Sequence, residues 1–139
     1  MSESIVVPFD ERYAPEIRSI RNNVFTNEQQ IDEELDFDGQ DHAAVHALVI
    51  CQGKIVGTGR MLADGHIGRL AVLKEYRGQG LGTKAVLALI NEAKTRGMNR
   101  AYLGAQTHAA GFYKILGFSV YGEPYMEANI QHILMERFI

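Results

Sequence analysis

The chain has 139 residues, 46% hydrophobic and 22% charged, with 14 lysines and arginines against 17 aspartates and glutamates. A chain of that length can bury roughly two-thirds of its unfolded surface in one core without disulfides or a structural metal, and Cys51, the single cysteine, offers neither a bridge nor a zinc pair. The acidic balance argues against a nucleic-acid-coating protein, while the absence of a leader-like start or a membrane-length apolar run gives an expectation of a cytoplasmic protein with no membrane partner.

No repeat, low-complexity tract or linker interrupts the chain, so residues 1–139 are expected to form one domain. In chain order, Ile5-Val-Val7 reads as a strand ended by Pro8. Asp10 then caps a helix with Ile17, Ile20, Val24 and Phe25 on one stripe. Glu28 to Asp41 holds seven of the seventeen acids and no lysine or arginine, and reads as a loop or short helical turns. Val45–Cys51 and Lys54–Leu62 flank the turn Gln52-Gly53 as a hairpin, and Asp64-Gly65 leads into a third strand from His66 to Leu73.

A glycine-rich turn, Arg77-Gly-Gln-Gly-Leu-Gly-Thr83, follows that strand and opens a helix. Leu81, Ala85, Val86, Leu89, Ile90 and Ala93 form the helix's buried stripe, and Gly97 closes it. Arg100–Gln106 is a strand, His108–Leu116 a short helix stopped by Gly117, and Phe118–Tyr121 and Ile130–Phe138 the last two strands. The expected fold is α/β, with a mixed sheet in the order β-α-β-β-β-α-β-α-β-β.

The turn has the physics of an anion site: glycines let the backbone approach a ligand, successive N–H groups line the turn, and a helix start adds its positive dipole end. Arg77 and Lys84 add charge. A P-loop is excluded because Thr83 stands five residues after Gly78 and precedes Lys84, and a dinucleotide fingerprint because Thr83 stands three residues after Gly80.

The pattern Arg-x-x-Gly-x-Gly resembles the pyrophosphate-binding motif of the GNAT superfamily of acyl-CoA-dependent N-acetyltransferases. Leu70-Ala71-Val72 before the turn, and Phe112-Tyr113-Lys-Ile-Leu-Gly117-Phe118 after the next strand, extend the resemblance over nearly the whole chain. Arg21-Asn-Asn-Val-Phe25, Glu28-Gln29, Asp36-Phe-Asp38-Gly39 and Gly122-Glu-Pro-Tyr125 look like the ElaA-like branch of small bacterial members.

The resemblance implies a GNAT fold of about seven strands, splayed at the strand carrying Leu70-Ala71-Val72, with acetyl-CoA as cosubstrate. Pantetheine would lie along Leu70, Ala71 and Val72, and the pyrophosphate against Arg77, Gly78, Gln79, Gly80, Leu81, Gly82 and Thr83. Gln106 stands where many members carry an asparagine near the pantetheine. Acyl transfer to an amine needs a deprotonated amine, oxyanion stabilisation and a proton for the leaving thiolate. Tyr113 is the implied proton donor, and Glu28, Glu127 and His132 are the candidate bases.

Beside the acceptor site, Phe25, Phe37 and Tyr125 would supply apolar walls and Asp36, Asp38 and Glu127 charge, so that the acidic segment could attract a cationic amine. The expected partner is a small-molecule or peptide amine, and the resemblance is compatible with a homodimer. No metal is expected: His42-x-x-x-His46 leads into a strand and lacks a third ligand, and Cys51 sits among apolar residues. The rival readings are an acyl-CoA-binding sensor without catalysis, and a different nucleotide at the glycine-rich turn.

Overall fold

The computed structural model describes residues 2–139. Strand β1 (Ser2–Pro8) leads through a turn to helix α1 (Ala14–Arg21). The Asp10 side chain accepts from the Arg12 and Tyr13 amides at 3.1 and 3.2 Å, and its carbonyl takes the first helical amide, that of Ala14. The helix widens over Asn22–Glu28 into π geometry, where the Gln29 amide reaches the Val24 carbonyl. That widening turns Val24 and Phe25 onto Ala71 in a small apolar cluster with Ile20.

The acidic segment contains one turn of helix, α2 (Glu33–Asp36), and a 3-10 turn at Asp41–Ala43. Strands β2 (Val45–Cys51), β3 (Lys54–Met61) and β4 (Ile67–Val72) follow, and β1-β2-β3-β4 make an antiparallel sheet. Helix α3 (Leu81–Thr95) packs the six-residue stripe read from its sequence into the main core, against Ala47, Val49, Val56 and Leu103. Then come β5 (Arg100–Gln106), a 3-10 turn at Thr107–Ala109, helix α4 (Ala110–Ile115), β6 (Ser119–Glu127) and β7 (Ile130–Phe138). These last strands form a second antiparallel sheet in the order β5-β7-β6.

The seven strands thus fall into groups of four and three. Their parallel contact is confined to a bridge between His66 and Tyr102, with the Tyr102 amide on the Gly65 carbonyl at 3.0 Å. Gly65 permits this approach, since a Cβ there would stand 2.4 Å from the Arg100 carbonyl oxygen and φ is +93°. Beyond the bridge β4 and β5 diverge. A bulge helps: between its pairings with Thr58 and Arg60, β4 carries Arg69 and Leu70 unpaired, with Arg69 at φ +52°. The result is a wedge, closed at His66 and Tyr102 and open toward the glycine-rich turn.

Candidate active site

The wedge holds a cavity of about 840 Å³. Leu70, Ala71 and Val72 line one wall and Gly104, Ala105 and Gln106 the other, with Gly78, Gly80, Leu81, Gly82 and Thr83 at the open end. Gly80 precedes α3 at φ +77°, a conformation glycine adopts without a side-chain penalty. The Lys84 amide is the one that bonds the Gly80 carbonyl, so the amides of Leu81, Gly82 and Thr83 begin the helix without partners in a preceding turn. A Cβ at Gly78 or Gly80 would meet nothing within 4 Å. Open space above helix-start amides fits the diphosphate of a coenzyme A group, and the divergent strand edges fit its extended amide-bearing arm.

Two basic residues read with this turn have other engagements. Arg77 donates through Nε to the Val72 carbonyl at 2.9 Å and through its terminal nitrogens to both Glu28 oxygens at 2.6 and 2.8 Å. The guanidinium holds the Glu28 carboxyl below its ordinary range. Lys84 turns away, donating to the Ser2 carbonyl at 3.0 Å and so tying β1 to α3. Gln79 is exposed and does not line the cavity.

Tyr113 lies on α4 within the cavity wall, edge-on to Phe112 and Phe118 at centroid distances of 4.9 and 5.8 Å. Burial pushes its phenol up to about 12, so it keeps its proton at neutral pH. Gln106 spends its amide inside the protein, its nitrogen on the Gln29 oxygen at 3.1 Å and its oxygen 2.8 Å from His108 Nε2.

Of the residues expected beside the acceptor or as its base, Phe25, Asp36, Tyr125, Glu127 and His132 line the cavity, whereas Glu28, Phe37 and Asp38 do not. The His132 Nδ1 stands 2.7 Å from the Ile130 carbonyl oxygen, which only accepts. The neutral ring therefore carries its proton on Nδ1 and a lone pair on Nε2. It stacks on Tyr125 at 5.5 Å.

The acidic segment is bound by arginines distant in sequence. Arg21, fully buried, bonds Asp36 at 3.0 Å and Asp41 at 2.7 Å. Arg60 bonds Asp38 at 2.8 Å and Asp41 at 3.0 Å, and Arg69 reaches Asp36 and Asp38 at 3.2 and 3.1 Å. Three arginines face three aspartates, so these carboxylates anchor the segment to the sheet. The Arg60 hydrogen bond holds Asp38 well below the usual carboxylate range. Burial pushes Asp41 up, but bonds from Arg21 and Arg60 outweigh it and leave it lowered.

The site residues named individually from the sequence do not include His66, Tyr102 and Gly104, which line the cavity. Strand periodicity contained the signal for two of them, because Tyr102 and Gly104 alternate onto the same face as Gln106. Tyr102 stacks on His66 at 4.7 Å and donates its hydroxyl to Asp64. Burial lowers His66 from its ordinary value. Among the described residues no group of three histidine, cysteine, aspartate or glutamate side chains could hold a metal ion, and no helix is long and apolar enough to cross a membrane.

A wedge between two sheets, with a glycine-rich helix start at its open end, suits an acyltransferase of the kind that draws on acyl-CoA, and the family match places the protein in that class. The acetyltransferase (GNAT) domain matches residues 13–138, and the chain belongs to that family, whose enzymes use acetyl-CoA or acyl-CoA and an amine acceptor. It is 33% identical over 134 residues to an uncharacterized N-acetyltransferase, YjcF, of Bacillus subtilis (strain 168), covering 94% of this chain and 96% of that protein. Among solved structures it is similar to Escherichia coli ElaA, with a TM-score of 0.87 at 28% identity over 97% of this chain and 99% of that one. An acyl-CoA N-acyltransferase from Pseudomonas aeruginosa gives 0.87 at 27% identity, covering 99% of both chains.

Proposed function

We propose that the protein is an N-acetyltransferase that moves an acetyl group from acetyl-CoA to a primary amine by direct attack, with both substrates bound together and no acyl-enzyme. The observation that carries this reading is the wedge itself: a glycine-rich helix start at its open end, and a protonated phenol and a lone-pair imidazole on its walls. Acetyl-CoA supplies an activated thioester. The amides of Leu81, Gly82 and Thr83 bind its diphosphate, and the edge of β4 from Leu70 to Val72 orients its arm.

His132 Nε2 takes a proton from the acceptor's ammonium, directly or through one water. Attack forms the carbon–nitrogen bond; as the carbon–sulfur bond breaks, Tyr113 protonates the leaving sulfur and is reprotonated through water by the second proton the nitrogen sheds, so that the proton held by His132 is the one released to solvent overall. Glu28 is a weaker base candidate because Arg77 holds both its oxygens. Phe25 and Tyr125 enclose the acceptor, and Glu127 faces its positive charge.

Thiol release from acetyl-CoA in the presence of a panel of amines, amino sugars and peptides tests the reading. At least one amine is expected to accelerate release more than tenfold over hydrolysis, and His132→Ala to abolish that gain. Tight acetyl-CoA binding with no acceleration by any amine would favour a non-catalytic acyl-CoA sensor instead.

A further inference from the structure

Near the closed end of the wedge, Tyr125, whose ring also borders the acceptor, makes a contact through its hydroxyl that the proton transfers do not use. Gly104 faces the cavity from β5, and a Cβ built on it would lie 1.9 Å from the Tyr125 hydroxyl oxygen. The hydroxyl therefore occupies the volume where any other residue at 104 would begin its side chain. Tyr125 comes from β6, opposite His132 on β7, and the His132 ring stacks behind it at 5.5 Å. His132 is in turn held by the Ile130 carbonyl, so the tyrosine has a fixed backing.

The strand register locates this contact along the wedge. β4 and β5 run parallel from the His66–Tyr102 bridge, and the bulge at Arg69 absorbs one residue of β4. Gly104 and Ala105 therefore stand across the gap from Leu70. A coenzyme A arm entering from the helix start of α3 points its acyl end at this level, toward the apex that the bridge closes. An acyl chain extended beyond the thioester meets the Tyr125 hydroxyl on one side and the bridged strands ahead.

We propose that Tyr125, seated over Gly104, sets the length of acyl group that the wedge accepts and restricts the donor to short-chain acyl-CoA of about two or three carbons. The inference rests on acyl-CoA binding in the wedge. It adds a specificity-determining residue to that site.

The experiment measures binding as well as turnover. Calorimetry with acetyl-, butyryl- and octanoyl-CoA is carried out on the wild type, Tyr125→Ala, Tyr125→Leu and Tyr125→Phe, each checked for folding by its thermal transition. Burying one methylene is worth about fourfold in affinity. Truncation to Ala is accordingly expected to shift the butyryl-to-acetyl affinity ratio about tenfold toward butyryl, with Leu, which keeps an apolar contact on His132, shifting it in the same direction. Phe removes the hydroxyl over Gly104 but retains the ring, and should shift the ratio in the same direction by less than Ala does, about threefold toward butyryl. An unchanged ratio in both Ala and Leu variants, or wild-type affinity for octanoyl-CoA equal to that for acetyl-CoA, overturns the proposal.

Thiol release with the best amine separates this inference from the reading beneath it. If the binding ratios shift as expected while no variant transfers an acyl group, the chain-length assignment stands and the enzyme reading fails. If transfer occurs with the same chain-length profile in every variant, the enzyme reading stands and the role of Tyr125 fails. Absence of binding by all three acyl-CoAs sinks both.

Discussion

Arg77 and Glu28 form a two-pronged ion pair, 2.6 and 2.8 Å, between the glycine-rich turn and the end of the π-helical segment that carries Phe25. The pair links the glycine-rich end of the wedge to the segment that carries Phe25 across 49 residues of chain. Both side chains are partly exposed, so the bond is exchangeable and screened by salt.

On the proposed placement of the cofactor, a diphosphate arriving at the turn would compete with Glu28 for Arg77. Arg77→Ala is expected to weaken coenzyme A binding about tenfold, the value of a charge-assisted hydrogen bond. Glu28→Gln, by freeing the guanidinium, should tighten binding about twofold to fivefold at low ionic strength, an advantage that disappears near 1 M salt. Titration calorimetry at two salt concentrations checks both, and weaker binding by Glu28→Gln at low salt would show that the pair preorganises Arg77.

Tyr113→Phe removes the proposed proton donor but leaves the ring packed against Phe112 and Phe118. The expected result is a kcat lower by about tenfold to a hundredfold with an unchanged KM for acetyl-CoA. Because burial holds the Tyr113 phenol up at about 12, the wild-type rate should show no alkaline loss from this group below pH 11. Steady-state kinetics across pH tests this, and an equal fall in kcat and rise in KM would reduce Tyr113 to a packing residue.

The buried arginine–aspartate network makes Asp36 a stability residue. Its neutralisation in Asp36→Asn leaves Arg21 short of a charge partner in a water-excluded site, with an expected loss of about 3 kcal/mol. Denaturant unfolding measures the loss. The KM for a cationic amine should change less than twofold in the same variant, whereas a tenfold rise without destabilisation would restore an acceptor-recruiting role to this carboxylate.

Two pH windows of stability follow from the shifted groups. His46 is buried, with Nε2 on the Asp41 carbonyl at 3.0 Å and Nδ1 without a hydrogen-bond partner, and burial lowers its affinity for a proton. The unfolded chain accepts that proton below about pH 6.5 while the folded one resists it, so stability should fall as pH drops from 7 toward 5. His66 adds to the same slope. Asp38 and Asp41, lowered by their arginines, contribute stability above the ordinary carboxylate range and lose it only as pH falls below about 4. Thermal melts from pH 3 to 8 should show both steps, and His46→Leu should flatten the upper one without moving the lower.

Local patterns specified most of the elements. The 3.6-residue stripe from Leu81 to Ala93 and Gly97 defined α3 because a helix face and its terminator are written within seventeen residues. Alternation and turn residues did the same for β2, β3 and β5, and the order Leu70-Ala71-Val72, Arg77-x-x-Gly-x-Gly and Phe-Tyr-x-x-x-Gly-Phe pointed to the family. Strand β6 ran six residues past its expected end at Tyr121, through a register shift around Gly122 and Pro124 that interrupts alternation.

What tertiary structure alone decided was how charge is spent. Seven acids in fourteen residues look like a free electrostatic field when read along the chain, since the arginines that pair with four of them, Arg21, Arg60, Arg69 and Arg77, lie 15 to 49 positions away. Ion pairing depends on distance through space, and no local spacing encodes a contact between a helix, a bulged strand and a loop. The same holds for Tyr125 above Gly104 and for the wedge, whose shape comes from two sheets joined at one bridge and a bulge at Arg69. Local sequence determined which elements form and what chemistry they carry, and packing determined which side chains remain free to use it.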